Sequence, residues 1–206
     1  MNQSKPIPLA DQRSAEILES AARVFSEKGF DGASMQDLAR TAGMSVGNFY
    51  RYFPSKAAIV SALIAQSLAD MEQDFAEILE LEDPISALRR KIAERIEEAK
   101  CKEEGKLWAE IKAASLRKPE IGAICCQMED VIAGHLVRIF AHVKQVSLPE
   151  ADAKWTAHAR LIVMMVQSCA MQRPDLPEAK SLIHLVLRTI DRTLEDMSLI
   201  ASERLN

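Results

Sequence analysis

The sequence contains few residues that interrupt helices and no segment suited to a membrane. Only 7 of its 206 residues are glycine, and aromatic residues make up 5%. The longest unbroken apolar run, Leu161 to Val166, is far shorter than the ~20 residues that cross a bilayer. Met1 to Ala10 lacks the apolar run of a secretory signal. We therefore expect a cytoplasmic protein with no membrane segment.

Cysteine is also scarce. The four cysteines, Cys101, Cys125, Cys126 and Cys169, lack the paired short spacings of a zinc site, and the reducing compartment that we expect argues against a disulfide framework. Neighbours on a helix point about 100° apart, so we interpret Cys125 and Cys126 as separate thiols, with a redox role left open. No Ser-His-Asp arrangement, glycine-rich phosphate loop or metal motif is present. The sequence predicts no enzyme, no metal and no cofactor.

Positive charge is not in excess, because the formal net charge is −4. Its distribution is uneven: residues 1–56 carry seven Lys and Arg against six Asp and Glu, whereas the remaining residues carry 19 against 24. The acidity is therefore C-terminal. Charge only permits nucleic-acid binding in the N-terminal part, so any prediction of DNA binding depends on local geometry.

Helical periodicity covers almost the whole chain. We predict helix 1 over residues 11–28, with Gly29 in the left-handed position after it and Phe30 folded back on Phe25. Ser34 and Asp37 match a capping box for helix 2, and Ser45 caps a third short helix that Pro54 ends. Ser55 caps a long helix 4 that reaches about residue 81. Prolines divide the rest into helices over 84–101, 104–117, 119–145, 149–172 and 177–203, so the predicted fold class is all-α.

The second and third helices fit a helix-turn-helix, in which two short helices meet at a steep angle. Such a motif needs a small residue at the contact and a left-handed residue in the turn. Ala39 and Gly43 supply these, four residues apart, and Leu38, Met44 and Phe49 supply the apolar filling. The pattern predicts a compact three-helix head that binds DNA.

This N-terminal segment resembles the TetR family of bacterial one-component regulators over about residues 11 to 60. Asn48 departs from the pattern, because many members have Thr, Ser or Ala there. The residues that carry the resemblance are Ile17, Leu18, Ala21, Ala22, Phe25, Gly29, Phe30, Ser34, Leu38, Ala39, Gly43, Ser45, Gly47, Tyr50, Phe53 and Lys56. We expect a flexible arm at residues 1–10 and a DNA-binding domain at 11–56, and the resemblance implies a helical ligand-binding and dimerisation domain at 57–206.

Roles follow for individual residues of the head. Residues near the start of a helix in the major groove reach the base edges, and an Asn amide can bond to adenine in a bidentate manner. Phe49 and Phe53 share one face and should fill the core, which leaves two tyrosine hydroxyls free for phosphates. Lys56, in the first turn of helix 4, is predicted to bind a phosphate. The predicted DNA-binding residues are Ser34, Gln36, Ser45, Val46, Gly47, Asn48, Tyr50, Tyr52 and Lys56.

The C-terminal part is predicted to sense a small molecule and to form a homodimer. Its last two helices carry apolar stripes too wide for one chain to cover, and the resemblance implies a four-helix interface and a palindromic operator. We predict an apolar effector. Its candidate lining residues are Trp108, Ile111, Met128, Ile132 and Trp155, each of which can equally be core filling.

Another class of function stays open at this stage. A helical protein-interaction adaptor can reuse the helix-turn-helix without binding DNA. Such an adaptor predicts no salt-dependent DNA binding, whereas a regulator should lose DNA affinity steeply as salt rises.

Overall fold

The computed structural model describes residues 9–101, 104–172 and 176–199. In those residues the chain forms nine α-helices and no strand, which confirms the all-α prediction. Their bounds are α1 Leu9–Gly32, α2 Met35–Thr41, α3 Val46–Tyr52, α4 Lys56–Leu79, α5 Pro84–Cys101, α6 Glu104–Ser115, α7 Pro119–Lys144, α8 Leu148–Ala170 and α9 Ala179–Leu199. Residues 1–8 of the predicted arm lie outside the described part of the chain.

Helix α1 is broken at Gly29, where the sequence places the end of helix 1. Gly29 has a φ of 75° and a ψ of 160°, and the stacked rings of Phe25 and Phe30 lie 5.3 Å apart. One further turn follows the break, closed by a hydrogen bond of 3.1 Å from the Ala33 N–H to the Gly29 carbonyl. For this reason α1 extends to Gly32 and not only to residue 28.

Three serines cap the helices that follow, as predicted. The Ser34 hydroxyl accepts the Asp37 N–H, and the Asp37 carboxylate accepts the Ser34 N–H, which completes the capping box of α2. The Ser45 hydroxyl accepts the Asn48 N–H at the start of α3. Ser55 does the same for the Ala58 N–H at the start of α4. Each cap satisfies a backbone donor that the first helical turn leaves free.

The described residues divide into two compact units. The first lies within Met1–Gln66 and Lys106–Ile124, and the second within Ser67–Gly105 and Cys125–Asn206. In the first unit α2 packs against α1 and α3. Its buried side chains include Ile17, Phe25, Leu38, Ala39, Phe49 and Ile59. The sequence analysis places the end of the DNA-binding domain at residue 56, and that functional boundary stays a prediction.

The second unit is a helical bundle in which α8 packs against α5 and α9, and α5 also packs against α9. Trp155 of α8 is fully buried, and its ring lies 5.8 Å from that of Phe140. Leu194 and Met197 of α9 complete the same core. The wide apolar faces of α8 and α9 therefore supply the main core of this unit.

Cys125 is buried and Cys126 is exposed, as expected for neighbours on a helix. Among the described residues, no helix combines the length and the apolar character needed to cross a bilayer.

Candidate nucleic-acid interface

Helix α3 presents almost all of its side chains outward. Of its residues only Phe49 is buried, while every other position of the helix is exposed. The turn before it has the geometry that the sequence predicts: Gly43 has a φ of 65°, and the Met44 N–H donates to the Ala39 carbonyl at 2.9 Å. Ala39 itself is completely buried. The helix-turn-helix therefore holds α3 at the surface.

The predicted base-reading residues lie together at the start of α3. Val46, Gly47 and Asn48 are all exposed, and the Ser45 cap fixes the backbone of Asn48. Within the described part of the chain, the side-chain amide of Asn48 has no hydrogen-bond partner, so its NH2 donor and its oxygen acceptor are both available. Gln36, in the first turn of α2, is exposed as well. Their contacts with bases stay predictions.

The four clustered aromatic residues divide as predicted. Phe49 and Phe53 are buried with their rings 6.1 Å apart, and they fill the core of the first unit. Tyr50 and Tyr52 are exposed, at 47% and 39% of their surface. Both hydroxyls lie on the outer faces of α3, where phosphate contact stays a prediction.

Ser34 has less freedom to bind a phosphate than Ser45. Its hydroxyl proton donates to the Asp37 carboxylate at 2.6 Å while its oxygen caps α2. Asp37 also contacts Lys28 at 2.7 Å, and these contacts hold the pKa of Asp37 well below its usual range. The role of both serines as caps is confirmed, and their role as phosphate donors stays a prediction.

Lys56 lies in the first turn of α4, but its ammonium group faces residues 30–33, where the end of α1 leads into α2. It donates to the carbonyl oxygens of Phe30, Asp31 and Ala33 at 2.6, 3.3 and 3.0 Å. Its three protons therefore have protein partners, and burial lowers the pKa of Lys56. In this arrangement Lys56 stabilises the turn. A phosphate contact, which stays a prediction, requires it to release at least one carbonyl.

Two arginines on the same surface are missing from the sequence prediction. Arg51 lies three residues after Asn48, is exposed, and has no hydrogen bond or ion pair within the described residues. Arg40, on α2, pairs with Asp37, yet 75% of its side chain is exposed. Both were detectable from the sequence, because helix residues three apart share a face. A guanidinium group on this surface suits a phosphate.

The five candidate effector-lining residues are divided between the two units. Trp108 and Ile111 belong to the first unit, and Met128, Ile132 and Trp155 belong to the second. Within the second unit, Ile132 packs against the core that contains Trp155. The Trp155 Nε1 is buried without a hydrogen-bond partner among the described residues. An open depression of about 280 Å³, lined by residues of α7 and α8, includes none of the five.

Comparison with known proteins agrees with this geometry. Residues 17–63 match the family model of bacterial regulatory proteins of the tetR family. The chain is 40% identical over 87 residues to the HTH-type transcriptional regulator EthR of Mycolicibacterium smegmatis. That alignment covers 41% of this chain and 40% of EthR, so the two match over less than half of either length. The name of this relative supports the prediction that the chain is not an enzyme.

Solved structures extend the likeness to nearly the whole chain. Salmonella enterica GusR superposes with a TM-score of 0.69 at 24% identity, over 95% of this chain and 97% of that one. FadR from Bacillus subtilis, solved in complex with stearoyl-CoA, superposes with a TM-score of 0.59 at 16% identity, over 91% and 97%. At these identities the likeness establishes the fold. The match to the tetR family model is confined to residues 17–63, which contain the helix-turn-helix.

Proposed function

We propose that this protein is a cytoplasmic, dimeric, sequence-specific DNA-binding regulator of transcription. In this proposal it acts as a repressor that a small apolar effector releases from a palindromic operator. The observation that carries the proposal is the surface of α3, where every residue except Phe49 faces outward on a rigid, capped helix. A helix presented in this way fits the major groove of B-form DNA.

Within the groove, Asn48 is the first candidate to read a base, and Gln36 is the second. A bidentate Asn–adenine contact contributes roughly 1–3 kcal/mol of discrimination against other bases. We assign phosphate contacts to Tyr50, Tyr52 and Arg51. Further phosphate contacts are assigned to Ser34, Ser45 and Lys56. Such contacts set the position of the protein on DNA without reading its sequence.

The proposed dimer uses α8 and α9, in line with the proposed role of residues 57–206. After the core of the second unit is formed, Leu161, Met164 and Leu185 remain exposed on these two helices. Covering them with a second copy removes apolar surface from water. A two-fold dimer then presents two copies of α3 to the two half-sites of a palindrome.

The proposed effector is apolar because the candidate lining residues are Trp, Ile and Met side chains. The FadR structure, solved with stearoyl-CoA, offers one apolar chemistry to test first. We propose that the effector favours a conformation in which the two heads no longer match the operator, with α4 as the lever. Such a shift requires that the effector binds the two conformations with different affinity.

Selection of bound sequences from random duplex DNA tests the DNA-binding part of the proposal. The wild type should select a palindrome and should lose affinity steeply as salt rises. Asn48→Ala should relax the preference at one base position in each half-site, whereas Arg51→Gln should weaken binding to every sequence about equally. Gln127→Ala, an exposed substitution on α7, serves as the control and should bind as the wild type does.

The main alternative is a protein-interaction adaptor, and the same experiment separates the two. A wild-type protein that binds no duplex at low salt contradicts the regulator and favours the adaptor. For the effector, titration of long-chain acyl-CoA into the operator complex should release DNA and change the fluorescence of Trp108 or Trp155. A complex that no apolar compound alters contradicts the proposed sensing role.

A further inference from the structure

The last turn of α1 after the break, together with Ala33, forms residues 29–33, here called the α1–α2 turn, and receives contacts from two other parts of the first unit. It lies directly before the Ser34 cap, so its conformation sets where α2 begins. The break at Gly29 takes the N–H of Phe30 out of the regular helical pattern. Backbone groups in such a turn need partners from elsewhere.

Glu110 of α6 supplies the partner for one of these backbone donors. Its carboxylate Oε2 accepts the Phe30 N–H at 3.2 Å, although the two residues are eighty positions apart. The same oxygen lies 3.0 Å from the point where a side chain at Gly29 would begin. The carboxylate is therefore packed closely against the backbone of the turn, and a Cβ at position 29 would require the Glu110 side chain to shift by a few tenths of an ångström.

Two cations between the end of α6 and the start of α7 hold the Asp31 side chain of the turn. Arg117 donates to Asp31 Oδ2 at 2.8 Å, and Lys118 approaches Asp31 Oδ1 at 3.1 Å. Each carboxylate oxygen thus has its own cation. These groups also lower the pKa of Asp31, which keeps the carboxylate charged.

Whereas Glu110 binds a backbone donor, Lys56 of α4 approaches the same turn and binds its carbonyl acceptors. It binds the carbonyl oxygens of Phe30, Asp31 and Ala33, and its Nζ lies 4.7 Å from the centre of the Phe30 ring. The Lys118 Nζ lies 6.0 Å from the centre of the same ring. The Phe30 donor is thus held by α6, and three acceptors of the turn are held by α4.

We propose that Glu110 is a positioning residue for DNA binding: through the Phe30 N–H it sets the α1–α2 turn and, with it, the placement of α2 and α3. Arg117 and Lys118 support it through Asp31. The proposal rests on the proposed function, since it assigns a source of control to the same DNA-reading head. Exposed ion pairs contribute little stability in general. The two ion pairs of Asp31 can therefore form and break without unfolding the unit.

Two variants of Glu110 test this role in the full-length protein. Glu110→Ala removes the acceptor, whereas Glu110→Gln keeps a side-chain oxygen that can accept the Phe30 N–H. Glu120→Ala, an exposed change at the start of α7, is the control with the same loss of charge. The measurements are amide hydrogen exchange at Phe30 and affinity for the operator selected by the wild type.

We expect Glu110→Ala to speed exchange at Phe30 and to weaken operator affinity roughly 2- to 30-fold relative to Glu120→Ala. Glu110→Gln should recover most of both losses. Equal operator affinity for Glu110→Ala and Glu120→Ala overturns the positioning role alone, whatever the exchange shows. A wild type that binds no DNA overturns the proposed function and this role together.

Discussion

Ser34 and Asp37 satisfy each other's backbone N–H groups at the start of α2. The Asp37 N–H donates to the Ser34 hydroxyl at 3.1 Å, and the Ser34 N–H donates to the Asp37 carboxylate at 3.2 Å. Both residues lie between the Gly29 break and the buried contact at Ala39. The cap therefore fixes the point at which α2, the first helix of the helix-turn-helix, begins.

Ser34→Ala should lower the free energy of unfolding by about 1 kcal/mol, because it leaves the Asp37 N–H without its cap. Denaturant unfolding followed by circular dichroism measures the change. Ser61→Ala, at an exposed position inside α4, is the matched control and should stay within about 0.5 kcal/mol of the wild type. Equal effects of the two substitutions would argue against the cap.

Gly43 and Gly47 should respond to alanine in opposite directions. Gly43 has a φ of 65°, so Gly43→Ala should destabilise the protein by about 1–2 kcal/mol. Gly47 lies in α3 with open space around it, so Gly47→Ala should raise stability by up to about 1 kcal/mol. Gly47→Ala also adds a methyl group to the proposed DNA surface. Thermal unfolding together with operator binding distinguishes the two effects.

A charge on the exposed apolar face of α8 or α9 should prevent the proposed dimer. Met164 is 62% exposed and Leu185 is 57% exposed. Met164→Glu and Leu185→Glu should therefore give the mass of a single chain in sedimentation equilibrium, because a dimer would have to bury the new carboxylates. Leu116→Glu is the control, since Leu116 is 83% exposed and lies on neither helix. Wild-type mass for all three variants places the interface elsewhere.

His135 should make stability fall on the acid side of neutrality. It is buried against Phe75, with ring centres 4.7 Å apart, and its Nδ1 lies 2.6 Å from the Arg138 guanidinium. Burial, and then Arg138, lower the pKa of His135, while Glu72 acts weakly in the other direction. The unfolded chain then binds a proton more readily, so stability should decline as pH falls below about 6.5.

His135→Gln removes this titration. The unfolding midpoint of the variant should therefore change less than that of the wild type between pH 7.5 and pH 5. Both proteins are compared in the same buffers by thermal unfolding. If their midpoints decline in parallel, a different group causes the loss of stability at acid pH.

The sequence allowed the helices to be predicted because their limits depend on local chemistry. Serine caps, Gly43 and Pro54 mark helix ends within a few residues, and burial repeats with helical spacing. The exposed surface of α3 followed from the same reasoning, since Phe49 and Phe53 share a face. Arg51, between the two exposed tyrosines, was not predicted, although its spacing from Asn48 places the two residues on one face of α3.

The contacts at the α1–α2 turn were not predictable in this way. Glu110 meets Phe30 across eighty positions, and no periodic pattern marks such a pair. Lys56 illustrates the same limit from the other side. Its place in the first turn of a helix suggested a phosphate partner. Its ammonium group instead contacts the carbonyl oxygens of a turn that is more than twenty positions away in the sequence. Local spacing cannot reveal a partner brought close by tertiary packing.

Both tyrosines of the chain, Tyr50 and Tyr52, lie exposed on α3. Biosynthetic incorporation of 3-fluorotyrosine would thus label this helix and no other element. A fluorine NMR spectrum should contain two resonances, and both would report directly on the helix that we propose to enter the groove. Engagement of a duplex, its release, and any change in the tilt of the head could then be followed without mutation or an attached dye.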